Sequence, residues 1–172
     1  MKLLACPKCH QQLHLENKTL KCENNHCYDI SKRGYINLLL NPDKATNNPG
    51  DSKESLVARK AYLNKGYYDP ILNQVITCID EFKHQDDLSI LDLGCGEGYY
   101  TQGLKKHFEN SDIYGLDISK IAIDMATRYR KDVTWLVGNS KNIPILDHSL
   151  DFICALIKKS IKRRWLYCSC YC

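Results

Sequence analysis

One stretch restricts this chain more than any other: Leu88-Ser-Ile-Leu-Asp-Leu-Gly-Cys-Gly-Glu-Gly-Tyr-Tyr100. A short apolar run leads to Asp92, then Gly94, Gly96 and Gly98 follow at alternate positions, and a helix-forming segment comes next. Physically this is a buried strand, a tight turn and a helix N-terminus. Glycines there take positive φ and let a ligand approach the backbone, and the helix start offers unpaired N–H groups. A glycine triplet alone is weak evidence. Here it is sharpened by Asp92 two residues before the first glycine, and by a second strand, Asp112-Ile-Tyr-Gly-Leu-Asp117. The acid ending that strand stands about 20 residues beyond the glycines, where a nucleotide ribose finds its hydroxyl acceptor.

Downstream the pattern of a parallel α/β sheet continues. Tyr99–Phe108 reads as the helix after the glycine loop, and Ser119 can cap a helix running to Tyr129. Asp132–Val137 reads as a third strand leading into Gly138-Asn139, and Ser149–Ile153 begins a fourth. The ligand of such a sheet lies at the carboxyl ends of the strands. Upstream, Asp51-Ser52 offers an N-cap for a helix to Lys65, closed by Gly66. A second helix opens at Pro70 with Ile71, Leu72, Val75, Ile76, Ile79 and Phe82 on one face.

The first forty residues carry a different chemistry. Cys6-Pro-Lys-Cys9 is a C-x₂-C knuckle, and Cys22 follows with His26 and Cys27 close behind. Two short strand-like pieces, Leu13–Leu15 and Thr19–Lys21, lie between. This is the outline of a zinc ribbon, in which zinc takes four N or S ligands in a tetrahedron and staples a module too small to hold itself together. Cys6, Cys9 and Cys22 supply three ligands; His26 (C-x₃-H) and Cys27 (C-x₄-C) are equally good fourth ligands by spacing. The segment from Tyr28 to Leu40 interleaves aromatics with Lys32 and Arg33. It suits stacking on RNA bases and, equally, packing of Tyr35, Ile36, Leu38 and Leu39 onto the main domain.

Bulk properties set the frame. With 172 residues there is room for one domain and a small module. No apolar run approaches the ~20 residues of a membrane span, and the N-terminus carries no long apolar signal region, so ten cysteines suggest metal and reduced thiols in a cytoplasmic setting. The net charge of +4 is unevenly spread. Residues 1–50 carry +3, residues 51–153 carry −4 and the last nineteen carry +5.

Several strings narrow the reading. The E/D-x-G-x-G-x-G form resembles motif I of the S-adenosylmethionine (SAM) dependent methyltransferases. The ribbon, Gly34-Tyr-Ile-Asn-Leu-Leu39, Pro49-Gly-Asp-Ser52, Ala58-Arg-Lys-Ala61, Gly66-Tyr-Tyr68 and Leu91–Thr101, in this order, resemble the 23S ribosomal RNA guanine-N1 methyltransferases over about residues 5–152. The resemblance implies His26 as the fourth zinc ligand. It also implies SAM contacts from Tyr68, Gly96 and Glu97, joining Asp92, Gly94, Gly98, Asp117 and Asn139 as cofactor-site candidates. The implied partner is a 23S ribosomal RNA hairpin, with neither membrane nor DNA. The expected architecture is a zinc ribbon at 1–40, a linker at 41–50 and a Rossmann-like parallel half-sheet at 51–153.

Residues 154–172 break the pattern. Lys158-Lys-Ser-Ile-Lys-Arg-Arg164 and the alternating Cys168, Cys170 and Cys172 replace the continuation that the family leads one to expect. A frameshift near residue 154, a non-native basic tail, an exposed fourth strand and an ill-packed end are expected, with Leu150, Phe152 and Ile153 less buried than their type. No catalytic base is assigned, since groups for proton removal are expected after the fourth strand. The expectation is therefore a SAM-dependent guanine-N1 methyltransferase by family, with little turnover by this stretch. The competing reading is an RNA-binding zinc ribbon without catalysis.

Overall fold

The computed structural model describes residues 1–40, 52–157 and 165–170, the last eight of these (156–157 and 165–170) as backbone. The linker at 41–50, the Asp51 end of the first cap and Lys158–Arg164 lie outside the described residues, as does Cys172.

The N-terminal unit is a three-stranded antiparallel sheet of β1 (His14–Glu16), β2 (Thr19–Lys21) and β3 (Cys27–Asp29), with β2 central. Asn17 takes positive φ in the β1–β2 turn, a conformation asparagine tolerates. The chain then enters the second sheet directly. β4 (Ile36–Asn37) lies parallel to β7 (Thr134–Val137). The helical approach follows as α1 (Lys53–Tyr62), a π-helical turn at Leu63–Tyr67 and α2 (Asp69–Phe82). Ser52 caps α1 by accepting from Ser55 N–H, and Gly66 at φ 79° breaks the helix between the two. The nucleotide half runs β5 (Ser89–Leu93), α3 (Tyr99–His107), β6 (Asp112–Asp117), α4 (Lys120–Ala126), β7 and β8 (Phe152–Ile157).

The sheet order is β4-β7-β6-β5-β8-β9, where β9 is Trp165–Cys170. The first five strands are mutually parallel, and β9 is antiparallel to β8. Here the structure departs from expectation. The strand expected as the fourth, β8, is the fifth parallel strand and is not an edge: its outward N–H and C=O groups are paired by β9, a run of aromatic and alternating residues with strand character. Phe152 is correspondingly buried, at 2% exposure, while Leu150 and Ile153 are half-buried.

Alternate residues of each strand point to opposite faces, and the two faces have different covers. Ile90, Ile113, Trp135 and Phe152 pack with Val75, Ile79, Leu104 and Ile123 from the helices. Leu91, Tyr114, Leu116 and Leu136, on the other face, pack with Leu4, Leu13, Leu20, Cys6 and Cys22 of the ribbon. The ribbon is thus the third layer of the fold. Backbone bonds fasten it there, from Ala5 N to Pro144 O at 3.0 Å and from Leu146 N to Leu3 O at 2.8 Å. Tyr35, Ile36, Leu38 and Leu39 are all buried in this arrangement, which decides their role as packing. Arg33 remains half exposed and pairs with Asp124 of α4 at 2.7 Å.

Candidate metal centre and cofactor site

The metal cluster forms where two tight turns meet. His10 and Asn25, both at positive φ, close the loops after each half of the ligand set. The ligand atoms of Cys6, Cys9, Cys22 and His26 all lie within 4.8 Å of one another. Cys9 and Cys22 sulfurs are 3.7 Å apart, and His26 Nδ1 stands 3.4–3.5 Å from the three sulfurs. Zinc bonds of about 2.3 Å to sulfur and 2.0–2.1 Å to nitrogen in a tetrahedron require edges of roughly 3.7 and 3.5 Å, so the four residues fit zinc without rearrangement. Cys27 points elsewhere, exposed and donating to Asn25 O. His26 thus lies within the cluster and Cys27 outside it. Tyr28 adds a neighbour the sequence did not single out: its hydroxyl lies 3.3 Å from Cys6 sulfur. Burial raises the Cys6 thiol, but hydrogen bonds from Tyr28 and from the Lys8 and Cys9 backbone outweigh it and favour thiolate.

The cofactor candidates meet at the carboxyl end of β5 and β6. Gly94, Gly96 and Gly98 take φ of 79°, 57° and 85°. A Cβ on Gly94 or Gly96 would meet nothing within 4 Å, so the loop faces open space. Gly98 is different: a Cβ there would stand 2.5 Å from Trp135, which also underlies Gly115. Trp135, held by Nε1–H donation to Arg130 O at 2.9 Å, is the floor of the loop. Asp117 binds the loop from the side. One carboxylate oxygen accepts from Gly96 N–H at 2.9 Å and the other from Ser119 N–H at 2.8 Å.

Three acids converge here. Asp92 is buried and accepts from Thr101 Oγ1 at 2.5 Å. Burial, with the charges of Asp117 and Glu97, pushes its carboxyl up to about 6 despite the Thr101 bond. Cys95, buried among the same acids, is pushed up as well, chiefly by burial. Glu97 is 2% exposed, and its Oε2 has no hydrogen-bond partner among the described residues; Arg59 Nε, from α1, stands 3.9 Å away. A buried carboxyl raised by burial and by the acids beside it favours a cation nearby. SAM carries a sulfonium and an ammonium, so an open glycine cradle ringed by Asp92, Glu97 and Asp117 fits it in shape and in charge.

The other two candidates sit at the margins. Tyr68 is half-buried, follows the π-helical turn and packs edge-on against Tyr62 at 5.9 Å. Asn139 is half-buried after β7, with Oδ1 accepting from Lys141 N–H at 3.0 Å. Thr101 and Arg59 lay inside the motifs quoted above but were not singled out, because a hydroxyl beneath a buried acid and a helix arginine give no local signal.

Comparison with known proteins agrees with this geometry. Residues 4–45 match the zinc-ribbon family described as RlmA, N-terminal, and residues 90–164 match the methyltransferase domain family. A 23S rRNA (guanine(748)-N(1))-methyltransferase of Streptomyces fradiae is 32% identical over 129 residues, 74% of this chain and 45% of the relative. A Bacillus subtilis protein named as a 23S rRNA (guanine-N(1)-)-methyltransferase is 28% identical over 165 residues, 92% of this chain and 57% of the relative. The chain spans about half the length of these relatives. Among solved structures, an S-adenosyl-L-methionine-dependent methyltransferase of Methanococcus maripaludis superposes with TM-score 0.54 at 22% identity. It covers 66% of this chain and 54% of that one, and it supports the fold.

Proposed function

We propose that this chain, which belongs to the zinc-ribbon SAM-dependent methyltransferases, serves the transfer of a methyl group to N1 of a guanine in a 23S ribosomal RNA hairpin. The observation that carries the reading is the acid-ringed glycine loop built on the same sheet as an RlmA-type ribbon. Zinc belongs to Cys6, Cys9, Cys22 and His26, where it holds the ribbon closed. When bound, SAM supplies an activated methyl on a sulfonium centre.

The chain's own residues bind and orient. The open faces of Gly94 and Gly96 would receive the cofactor's amino-acid portion, and Gly98 lets α3 start against Trp135. Asp117 fixes the loop through Gly96 N–H and keeps lone pairs for the ribose hydroxyls. Asp92 and Glu97 supply negative charge, Asn139 lies toward the adenine, and Tyr68 covers the site from the helical approach. Correct placement lowers the barrier to in-line transfer. The guanine, reached in an RNA loop, must also lose its N1 proton to an acceptor.

That acceptor is expected after β8. No described helix is long and apolar enough to cross a membrane, and a ribosomal RNA substrate places the work in the cytoplasm.

The test is calorimetric titration with SAM and with a 23S hairpin containing guanine 748, followed by a radiolabelled-methyl assay on that hairpin beside a full-length relative. SAM binding supports the reading. RNA binding without any SAM binding would favour a ribbon that binds RNA and does no catalysis.

A further inference from the structure

Large apolar or aromatic side chains left in solvent carry information when they gather in one place. Among the described residues, seven large hydrophobic side chains are conspicuously exposed, and three of them, Val57, Tyr62 and Tyr67, belong to α1 and the π-helical turn that follows. Tyr62 is 51% exposed and Tyr67 is 63% exposed. Their rings lie 5.3 Å apart, tilted by 39°, so neither needs the other's full face. Tyr62 also meets Tyr68 edge-on. The π-helical turn is what makes the group possible. It adds residues between two helices, and Gly66 at φ 79° turns the chain so that Tyr67 and Tyr68 fall back beside Tyr62.

The segment carrying the pair is net basic. From Lys53 to Asp69 the chain carries Lys53, Arg59, Lys60 and Lys65 against Glu54 and Asp69, a net +2 in a half whose total is −4. Lys65 is exposed in the turn itself, two residues before Tyr67. The position is also specific. Arg59, one helical turn before Tyr62, reaches toward Glu97 in the glycine loop, so this segment lies beside the cofactor site.

We propose that Tyr62 and Tyr67 form a stacking platform for unpaired bases flanking the target guanine, with Lys65 receiving a phosphate. The proposal rests on the RNA-substrate reading above and goes beyond it by assigning the surface that holds the strand. Exposed aromatic faces take any base, because every base offers a π-face, and each stacked base is worth about 1–3 kcal/mol. Basic side chains beside them track the backbone and make the binding salt-dependent. Tyr62 and Tyr67 are both solvent-facing, so replacing them leaves the buried core intact.

The test uses the whole zinc-loaded chain and the 23S hairpin carrying 2-aminopurine in its loop. Tyr62→Ala with Tyr67→Ala is expected to weaken hairpin binding at least tenfold and to restore 2-aminopurine fluorescence that the native chain quenches. SAM affinity should stay within twofold. Tyr62→Phe with Tyr67→Phe should keep both affinity and quenching, since stacking needs the ring and not the hydroxyl. Native binding with no loss in the double-alanine variant overturns the platform alone. No hairpin binding by the native chain overturns the RNA reading and the platform with it. Loss in the phenylalanine variant equal to that in the alanine variant also overturns stacking.

Discussion

Replacing Asp92 with Asn tests the electrostatic core of the site. Asp92 is buried beneath the glycine loop, and its pKa is raised from 3.8 to about 6. A raised carboxyl pKa means that the folded state holds the proton more tightly than the unfolded chain does. The penalty is absent below about pH 3.8, grows as pH rises and is fully present above about 6. One pKa unit corresponds to about 1.4 kcal/mol, so ionised Asp92 costs roughly 3 kcal/mol at pH 7.5 and about half that at pH 5. Asparagine keeps an oxygen for the Thr101 hydroxyl and carries no charge to bury. Asp92→Asn is therefore expected to stabilise the cofactor-free protein by about 2–3 kcal/mol at pH 7.5, with the advantage shrinking by about half at pH 5. Urea unfolding of both proteins, zinc-loaded, at several pH values between 5 and 8 measures this, and the ribbon's own pH dependence cancels in the difference. The same change should weaken SAM binding, because the charge that burdens the empty site attracts a cationic ligand. A stability difference that does not vary with pH, or a variant less stable throughout, would refute the account of Asp92 as a carboxyl raised by burial.

Purified protein should contain about one zinc per chain, as a single tetrahedral site requires; Cys22→Ser and His26→Ala should lose it, while Cys27→Ala keeps it, and metal retained in His26→Ala would exclude that ligand set. Asp117→Ala should weaken SAM binding by about 1.5–3 kcal/mol, the range for a hydrogen bond to a charged group, and unchanged affinity by calorimetry with an intact fold would remove Asp117 from the site. Gly98→Ala combines a left-handed φ of 85° with a Cβ 2.5 Å from Trp135; the backbone strain alone is about 1–2 kcal/mol, so a fall in urea midpoint is expected, and an unchanged midpoint would show that the loop relaxes freely.

What could be read from the chain follows from range in sequence. The glycine loop, β6 ending at Asp117, the Ser119 cap and the cysteine knuckles are local patterns, each set by a few adjacent residues, and they lie where the spacing puts them. The choice of His26 over Cys27 depends on how β2 and β3 close the loop, which spacing cannot separate. The interactions that tune the site are long-range in the same sense. Trp135 beneath Gly98, Thr101 beneath Asp92 and Arg59 beside Glu97 come together only when the sheet and helices assemble. The fate of β8 was misread for a related reason. An edge was expected because no known continuation followed, yet pairing in a sheet requires only strand-forming residues with free backbone groups, and Trp165–Cys170 supplies them.

The position of the ribbon has the widest consequence. A doubly wound sheet buries both faces, and in this chain the helices α2, α3 and α4 serve one face only. The other is closed by Leu4, Leu13 and Leu20 around the cysteine ligands, and by β4 joining the sheet beside β7. Cys6 and Cys22 thus do two jobs: their sulfurs hold the metal centre and their stems lie in the same apolar cluster as Leu91, Tyr114, Leu116 and Leu136. The metal is thereby coupled to the cofactor half. β6, whose Leu116 faces the ribbon, ends at Asp117, which holds Gly96, and Leu116 O accepts from both Gly94 and Cys95 N–H. One side of Leu116 rests on the metal-stapled layer and its carbonyl anchors the glycine loop, so the order of the ribbon and the shape of the cofactor cradle are set by the same short piece of strand.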